Sequence, residues 1–271
     1  MFLFSLIELS FHHDYTTPAD LDLAQFVAKT VAAKDTSYAK TDLGARCRRM
    51  LHQELYASLQ ARPDIALAVG LLTRCTAYPS PELLKRIERI MIYLNGTKAL
   101  KLTYAATEGA KLSFAWAPRV AVTGYSDANF EVAHSTSGYA FTLLAALSWG
   151  VKKQESIALN TQQAEIVAGS LAACDAIFLR GLLVETGHPC EEPTVLYMDN
   201  SSAIDLAFDP VLHAKTKHID RRDLFVRELV ARKVVVTKFV PTAQNVADVL
   251  TKPLPRQAFQ KHRATLLGIQ E

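Results

Sequence analysis

The chain has 271 residues, of which 49% are hydrophobic, so it can bury the core of one large domain or of two small ones. Its formal net charge of +3 is compatible with a polyanionic partner, but equally with an ordinary soluble protein. The four cysteines form no Cys-x-x-Cys pair, so we expect reduced cysteines and neither a zinc site nor a disulfide framework.

The N-terminal run MFLFSLIELSFHHDY is apolar for only about ten residues and lacks the basic flank of a secretory signal. We expect no later segment to reach the ~20 apolar residues of a membrane span, and therefore no membrane association. The sequence also lacks Gly-rich phosphate-binding loops, which argues against the nucleotide-binding enzymes that use similar sheets.

Residues from about 20 to 100 are predicted to be helical and poor in strands. A first helix carries apolar residues at helical intervals, and a second begins after Pro79-Ser80-Pro81 and ends at Asn95-Gly96. The predicted stripes are Leu21, Leu23, Phe26, Val27 and Val31 in the first, and Leu83, Leu84, Ile87, Ile90, Met91 and Leu94 in the second. We assign residues 1–105 to this helical region and residues 115–271 to a second domain.

From about residue 117 the pattern changes to strands. The runs RVAVTGYSDA, SGYAFTLLAA and LSWGVKKQ, separated by turn residues, predict an antiparallel meander. A long helix follows, capped by Asn160 with Gln163 in a capping box. Its predicted apolar stripe, which ends before Gly187, comprises Val167, Leu171, Phe178, Leu182 and Leu183.

The remaining elements alternate between strands and helices. A strand at Val195, a short helix from Ser201, a helix around RRDLFVRELVARK, a strand over residues 234–240 and a closing helix from Asn245 complete the order βββ-α-β-α-α-β-α. This order predicts an α/β (α+β) fold, in which a mixed five-stranded sheet has helices on its faces.

Four acidic residues lie where predicted elements begin or end. They are Asp127, Glu165, Asp199 and Asp248. If the chain brings them to one edge of the sheet, they form an oxygen-rich cluster that repels itself unless cations compensate it. Such clusters suit Mg²⁺ or Mn²⁺, and two such ions can activate a water and stabilise the leaving oxygen of a phosphodiester.

Each acid also has an ordinary structural interpretation. Asp127 can begin a turn, Asp199 can help to cap the helix that starts at Ser201, and Asp248 can form a capping pair with Asn245. Glu165 can be a solvated helix residue. Taken singly, these interpretations are at least as good as the catalytic one.

The sequence from about Gly124 onward resembles the ribonuclease H domain of copia-type LTR retrotransposon polyproteins. The resemblance rests on GYSDAN, HSTSGYAFTL, LSWGVKKQESIALNTQQAEIVA, PTVLYMDNSSAIDLA, HAKTKHIDRRDLFVRELV and VTKFVPTAQNVADVLTKPLP. The preceding segment, RPDIALAVGLLTRCTAYPSPELLKRIERIMIYLNGTKALKLTY, resembles the thumb and connection region at the end of the adjoining reverse transcriptase.

The resemblance implies a ribonuclease H-like fold and cleavage of the RNA strand of RNA/DNA hybrids with two Mg²⁺ (or Mn²⁺) ions. Asp127 and Asp199 then bind metal most directly, while Glu165 and Asp248 complete the shell and hold the second ion. The implied partners are an RNA/DNA hybrid and the remainder of the polyprotein. The implied location is intracellular, in cytoplasmic virus-like particles or in the nucleus.

The chain departs from the family pattern in places that spare the four acids. Asn129-Phe130 replaces a frequent Asp-Trp, and residues 160–163 replace a common Ser-Ser-Thr-Glu. No Asp-Asp dipeptide occurs, so we expect no polymerase activity from this chain alone.

A basic run precedes the last predicted strand. Its residues Lys215, Lys217, His218 and Arg222 are predicted to contact nucleic-acid phosphates, although a solvated helix start explains them about equally well. His218 is not assigned a catalytic role, because it does not lie in the loop before Asp248.

The leading hypothesis is a metal-dependent endoribonuclease, an enzyme of the ribonuclease H type. One alternative is a catalytically silent fragment that binds nucleic acid or packs against other segments. Another is a different nuclease or integrase on the same fold, which the C-terminal motifs disfavour.

Overall fold

The computed structural model describes residues 15–104, 122–131, 134–188, 190–208 and 221–269, and the structural statements below concern these residues. The predicted boundary between residues 105 and 115 lies outside them.

The N-terminal region is helical, as predicted. Its helices are α1 (Leu23–Ala33), α2 (Asp42–Gln60), α3 (Ala66–Leu72) and α4 (Pro81–Gly96), with 3₁₀ turns at Pro63–Ile65 and Thr73–Cys75. Helix α4 begins as expected, because the Ser80 hydroxyl accepts a hydrogen bond from the Leu83 N–H at 3.0 Å. Leu21 was wrongly placed on the buried stripe: it precedes α1 and is 65% exposed.

The second half contains the predicted mixed five-stranded sheet. Its strands are β1 (Thr123–Asn129), β2 (Thr136–Thr142), β3 (Ala146–Lys153), β4 (Thr194–Met198) and β5 (Val235–Phe239), in the order β3-β2-β1-β4-β5. The first three form an antiparallel meander, whereas β1, β4 and β5 run parallel. The sheet and the helices on its faces confirm the predicted fold class.

Helix α5 (Thr161–Glu185) begins with the predicted Asn160 cap, and Gln163 accepts from the residue before the cap rather than from Asn160 itself. The Asn160 side chain accepts from the Gln163 N–H, and the Gln163 side chain accepts from the Leu159 N–H, both at 2.8 Å. The predicted apolar stripe is wrong in part: Phe178 and Leu182 are 65% and 46% exposed, whereas Leu183 packs against the core. The buried face instead consists largely of small residues, including Ala164, Ala168, Gly169, Ala172, Ala173 and Ala176.

Small side chains let α5 lie close to the sheet. A Cβ atom added at Gly169 would meet Met198 Cε at 3.1 Å, so the helix backbone passes directly over β4. By length and composition α5 could also cross a membrane, contrary to our expectation that no segment is apolar enough. In this structure α5 instead covers one face of the sheet.

The other face of the sheet packs against the N-terminal helices. Successive residues of β2 point to opposite faces of the sheet. Phe141 lies in the core under α5, whereas Ala140 lies in the core on the other face, which includes residues of α3 and α4. The Trp149 indole N–H of β3 donates a hydrogen bond to the Ser58 carbonyl of α2 at 2.8 Å.

After β4 the described residues form three further helices, of which α6 (Ser201–Phe208) and α7 (Arg221–Ala231) precede β5 and α8 (Arg256–Leu267) follows it. The prediction of one closing helix from Asn245 was wrong. After a 3₁₀ turn at Thr242–Gln244 comes a separate 3₁₀ segment, Val246–Leu250, and α8 starts only at Arg256. Pro253 and Pro255 explain the break, because proline lacks the N–H that a helix interior requires.

Candidate active site

The strand register brings Asp127 and Asp199 together. Tyr125 of β1 pairs with Tyr197 of β4 in the parallel ladder, and each acid follows its tyrosine by two residues. The two acids therefore lie level with each other, where the carboxyl ends of the parallel strands meet. Asp127 is inside β1 rather than at its end, since β1 continues to Asn129.

Asp248 reaches the same edge from the 3₁₀ segment. Asn245 caps this segment by accepting from the Ala247 N–H at 3.2 Å, and its side-chain amide donates to the Ser126 carbonyl at 3.0 Å. Asn245 is completely buried, so these two bonds tie the segment that carries Asp248 to the strand that carries Asp127.

The three aspartates form one cluster. One carboxylate oxygen from each of Asp127, Asp199 and Asp248 lies within 4.8 Å of the others. Asp127 and Asp248 are buried and Asp199 is half-buried, so the cluster opens to solvent on the Asp199 side. The structure thus brings together three of the four predicted acids at metal-binding distances.

Glu165 lies beside this cluster on α5. It is only 3% exposed, so the interpretation as a solvated helix residue was wrong. Its Oε2 atom has no hydrogen-bond partner among the described residues. Burial, reinforced by the charges of Asp127 and Asp199, raises the pKa of Glu165 to about 9.

The pKa values of Asp248 and Asp127 are also raised. Burial, followed by the charge of Asp127, raises the pKa of Asp248 to about 7. Burial also raises the pKa of Asp127, although the charge of Lys252 and a hydrogen bond from Thr251 oppose that shift. Without added cations, the cluster therefore favours protonated carboxyl groups.

The residues present fit a hard divalent cation. All the candidate ligands are carboxylate oxygens, which Mg²⁺ and Mn²⁺ prefer, and Glu165 Oε2 is a buried acceptor without a donor. Asp127, Asp199 and Asp248 would hold such an ion, with Glu165 adjacent.

Two residues of the site were not predicted. The Thr251 hydroxyl donates a hydrogen bond to Asp127 Oδ2, and Lys252 Nζ lies 3.0 Å from Asp248 Oδ1. The four-residue spacing between Asp248 and Lys252 is a signal that could have indicated this pair from the sequence.

The predicted phosphate-contacting residues are not tested. Lys215, Lys217 and His218 lie outside the described residues, and Arg222 lies in α7 with its side chain outside the described part. Their role stays a prediction.

Comparison with known proteins places the chain in a family. No family model matches it. It is 35% identical over 211 residues to the retrovirus-related Pol polyprotein from transposon TNT 1-94 of Nicotiana tabacum, covering 76% of this chain and 15% of the polyprotein. It is 33% identical over 213 residues to that from transposon RE1 of Arabidopsis thaliana, covering 77% of this chain and 14% of the polyprotein.

Among solved structures, the chain is similar to LC11-RNase H1, which was isolated from compost. The TM-score is 0.39 and the sequence identity is 16%. The match covers 52% of this chain and 97% of that chain. It spans only about 15% of the length of the curated relatives named above. About three quarters of this chain matches one segment of each plant polyprotein at 33–35% identity, so the chain belongs, as such a segment, to the Pol polyproteins of copia-type retrotransposons.

Proposed function

We propose that this chain is a metal-dependent endoribonuclease that cleaves the RNA strand of RNA/DNA hybrids. The observation that carries the proposal is the meeting of Asp127, Asp199 and Asp248 within 4.8 Å at the carboxyl ends of β1 and β4. Capping or turn formation does not require three carboxylates from three elements to converge, whereas a divalent-cation site does.

In this proposal the protein holds the carboxylate oxygens of four acids close together, despite their mutual repulsion, so that they can bind cations. Asp127 and Asp199 are the direct metal ligands in this proposal, and Glu165 and Asp248 complete the site for two ions. Bound Mg²⁺ or Mn²⁺ would supply activation of the attacking water and stabilisation of the leaving oxygen. The rigid sheet edge and the buried Asn245 bonds keep the ligands in position, so little reorganisation precedes reaction.

The hybrid would be recognised by its shape and by contacts to the RNA 2′-hydroxyl groups. Lys215, Lys217, His218 and Arg222 are the residues we propose for phosphate contacts. The remainder of the polyprotein is the proposed protein partner, and the proposed location is intracellular.

The test is cleavage of a labelled RNA/DNA hybrid by the purified protein with Mg²⁺ or Mn²⁺. Asp199→Asn should reduce the cleavage rate by more than 100-fold, because loss of an outer-shell partner alone typically costs about 10- to 100-fold and Asp199 is a proposed ligand. The matched control is Asp205→Asn, which removes an exposed carboxylate from neighbouring helix α6 and should cleave at the wild-type rate.

The substrates themselves provide a second control. Duplex DNA and single-stranded RNA of the same sequence should stay intact. Absence of hybrid cleavage by the wild-type protein, or equal cleavage by Asp199→Asn, would contradict the proposal and leave a catalytically silent segment.

A further inference from the structure

One cation is built into the carboxylate cluster. Lys252 Nζ lies 3.0 Å from Asp248 Oδ1, and the Asp248 side chain is only 6% exposed. A lysine side chain is an ammonium ion at neutral pH, so this contact is an ion pair. Among the described residues, it is the basic side chain that forms an ion pair with an acid of the cluster.

The position of Lys252 relates it to the whole cluster rather than to Asp248 alone. The charges of Asp127, Asp199 and Asp248 all act on its ammonium group. Asp127 forms no ion pair of its own within the described residues, so in a metal-free site Lys252 offsets part of the repulsion between Asp127 and Asp248.

The ammonium and a divalent cation compete for the same carboxylate, that of Asp248. Asp248 Oδ1 belongs to one of the three carboxylates that meet within 4.8 Å, and a cation bound there would repel a like charge 3.0 Å from its ligand. Lys252 can withdraw, because its side chain is 37% exposed and ends a flexible four-carbon stem.

We propose that Lys252 is the internal counter-cation of the metal-free site and releases Asp248 when a divalent cation binds. This inference rests on the proposed metal-dependent function. It assigns Lys252 to the control of metal affinity: it stabilises the empty site and therefore weakens metal binding, which keeps the protein folded at low metal concentration.

The test compares Lys252→Met with wild type in two measurements that need no nuclease activity. The first is the unfolding temperature in EDTA and in excess Mg²⁺. The second is Mn²⁺ affinity by titration calorimetry or by electron paramagnetic resonance of free Mn²⁺. Lys252→Arg retains the charge, and Lys98→Met removes an exposed lysine that follows α4, as a control for net charge.

We expect Lys252→Met to unfold at a lower temperature than wild type in EDTA, because it leaves a buried carboxylate unpaired. Its stabilisation by Mg²⁺ should be larger, and its Mn²⁺ affinity should rise roughly 3- to 10-fold, the range of a half-exposed charge pair. Lys252→Arg should stay near wild type in both measurements, as should Lys98→Met.

If Lys252→Met folds only with Mg²⁺, that result also supports the proposal, and if it does not fold in either condition, Lys252→Gln takes its place. Equal unfolding temperatures in EDTA together with unchanged or weaker Mn²⁺ binding would overturn the inference and point to a substrate contact for Lys252. A wild-type protein that binds neither Mg²⁺ nor Mn²⁺ would overturn the proposed function, whereas the EDTA measurement would still decide the counter-cation role separately.

Discussion

The hydroxyl of Thr251 donates a hydrogen bond to Oδ2 of Asp127, across 124 residues of sequence. The same hydroxyl lies 3.2 Å from the backbone carbonyl of Asp248, so one buried side chain connects the central strand with the 3₁₀ segment. Thr251 therefore sets the orientation of one proposed metal ligand relative to the backbone of another.

Replacing Thr251 with valine should weaken metal binding. The isosteric change leaves Asp127 Oδ2 without its donor, and loss of such an outer-shell bond typically costs about 10- to 100-fold in metal affinity. An unsatisfied buried acceptor also costs about 1–3 kcal/mol in the free energy of unfolding. Calorimetric Mn²⁺ titration and urea denaturation measure the two effects. Thr251→Ser keeps the hydroxyl and should retain most of both properties, and the assignment is wrong if valine matches serine.

Gly138 should be intolerant of a side chain. It pairs with Asp127 in the sheet, and a Cβ atom there would lie 2.6 Å from Thr251 Cγ2 and 2.9 Å from Leu250 Cβ. Gly138→Ala should therefore push the 3₁₀ segment away from β1, lower metal affinity and destabilise the fold by about 1–3 kcal/mol.

Gly181→Ala is the matched control for this substitution. Gly181 lies in α5 with nothing within 4 Å of an added Cβ atom, so alanine should stabilise the helix by about 0.5–1 kcal/mol. Chemical denaturation measures the change in unfolding free energy of each variant. Equal changes for the two substitutions would contradict the close packing at Gly138.

Asn245 should be required for the position of Asp248. Asn245→Ala leaves the Ser126 carbonyl and the Ala247 N–H without their partners in a fully buried place, at a cost of about 1–3 kcal/mol in unfolding free energy. Mn²⁺ affinity should fall as well, because the segment that carries Asp248 loses its bond to β1. The neighbouring exposed Gln244→Ala should change neither quantity, and an equally mild effect of Asn245→Ala would refute the positioning role.

Stability in EDTA should decrease as the pH rises. Glu165 has a pKa of about 9 in the folded protein against about 4.5 in the unfolded chain, so the folded state binds its proton more tightly throughout that interval. Protonated Glu165 therefore adds to the free energy of unfolding. This contribution is fully present below about pH 4.5 and is lost as the pH rises through about 9.

Urea denaturation in EDTA at about pH 5, 7 and 9 tests this dependence. Glu165→Gln should flatten the profile between about pH 7 and 9, because it cannot ionise, whereas Asp248, with a pKa raised to about 7, keeps a slope at lower pH. Glu155→Gln removes an exposed carboxylate and should follow wild type. Saturating Mg²⁺ should reverse the loss at high pH in wild type, since the cation stabilises the ionised acids. Identical profiles for wild type and Glu165→Gln would show that Glu165 is not buried beside the cluster.

Local sequence patterns determined the order of the elements and the capping of α5. Alternating strands, turn residues and the Asn160–Gln163 capping box are short-range signals, because each depends on neighbours within a few residues of the chain. The same patterns, with the family resemblance, predicted that Asp127, Glu165, Asp199 and Asp248 belong to one site.

Other features depended on long-range packing. The pattern of α5 predicted that Phe178 and Leu182 face the core, yet close contact with the sheet selects small residues such as Ala168 and Gly169. A hydropathy pattern carries no information about the small side-chain size that this close packing requires. The prolines after Thr251 were visible in the sequence, but only the structure decided that Asp248 lies in a 3₁₀ segment tied to β1 by Asn245.

The pairing within the site was decided by tertiary structure alone. Thr251 and Lys252 adjoin each other in the chain, yet one bonds Asp127 and the other pairs with Asp248. Which oxygen receives which donor depends on the position in which Asn245 holds the 3₁₀ segment against β1. Sequence specifies which groups are available, whereas electrostatic balance among buried carboxylates depends on distances of a few ångströms that only the folded chain sets.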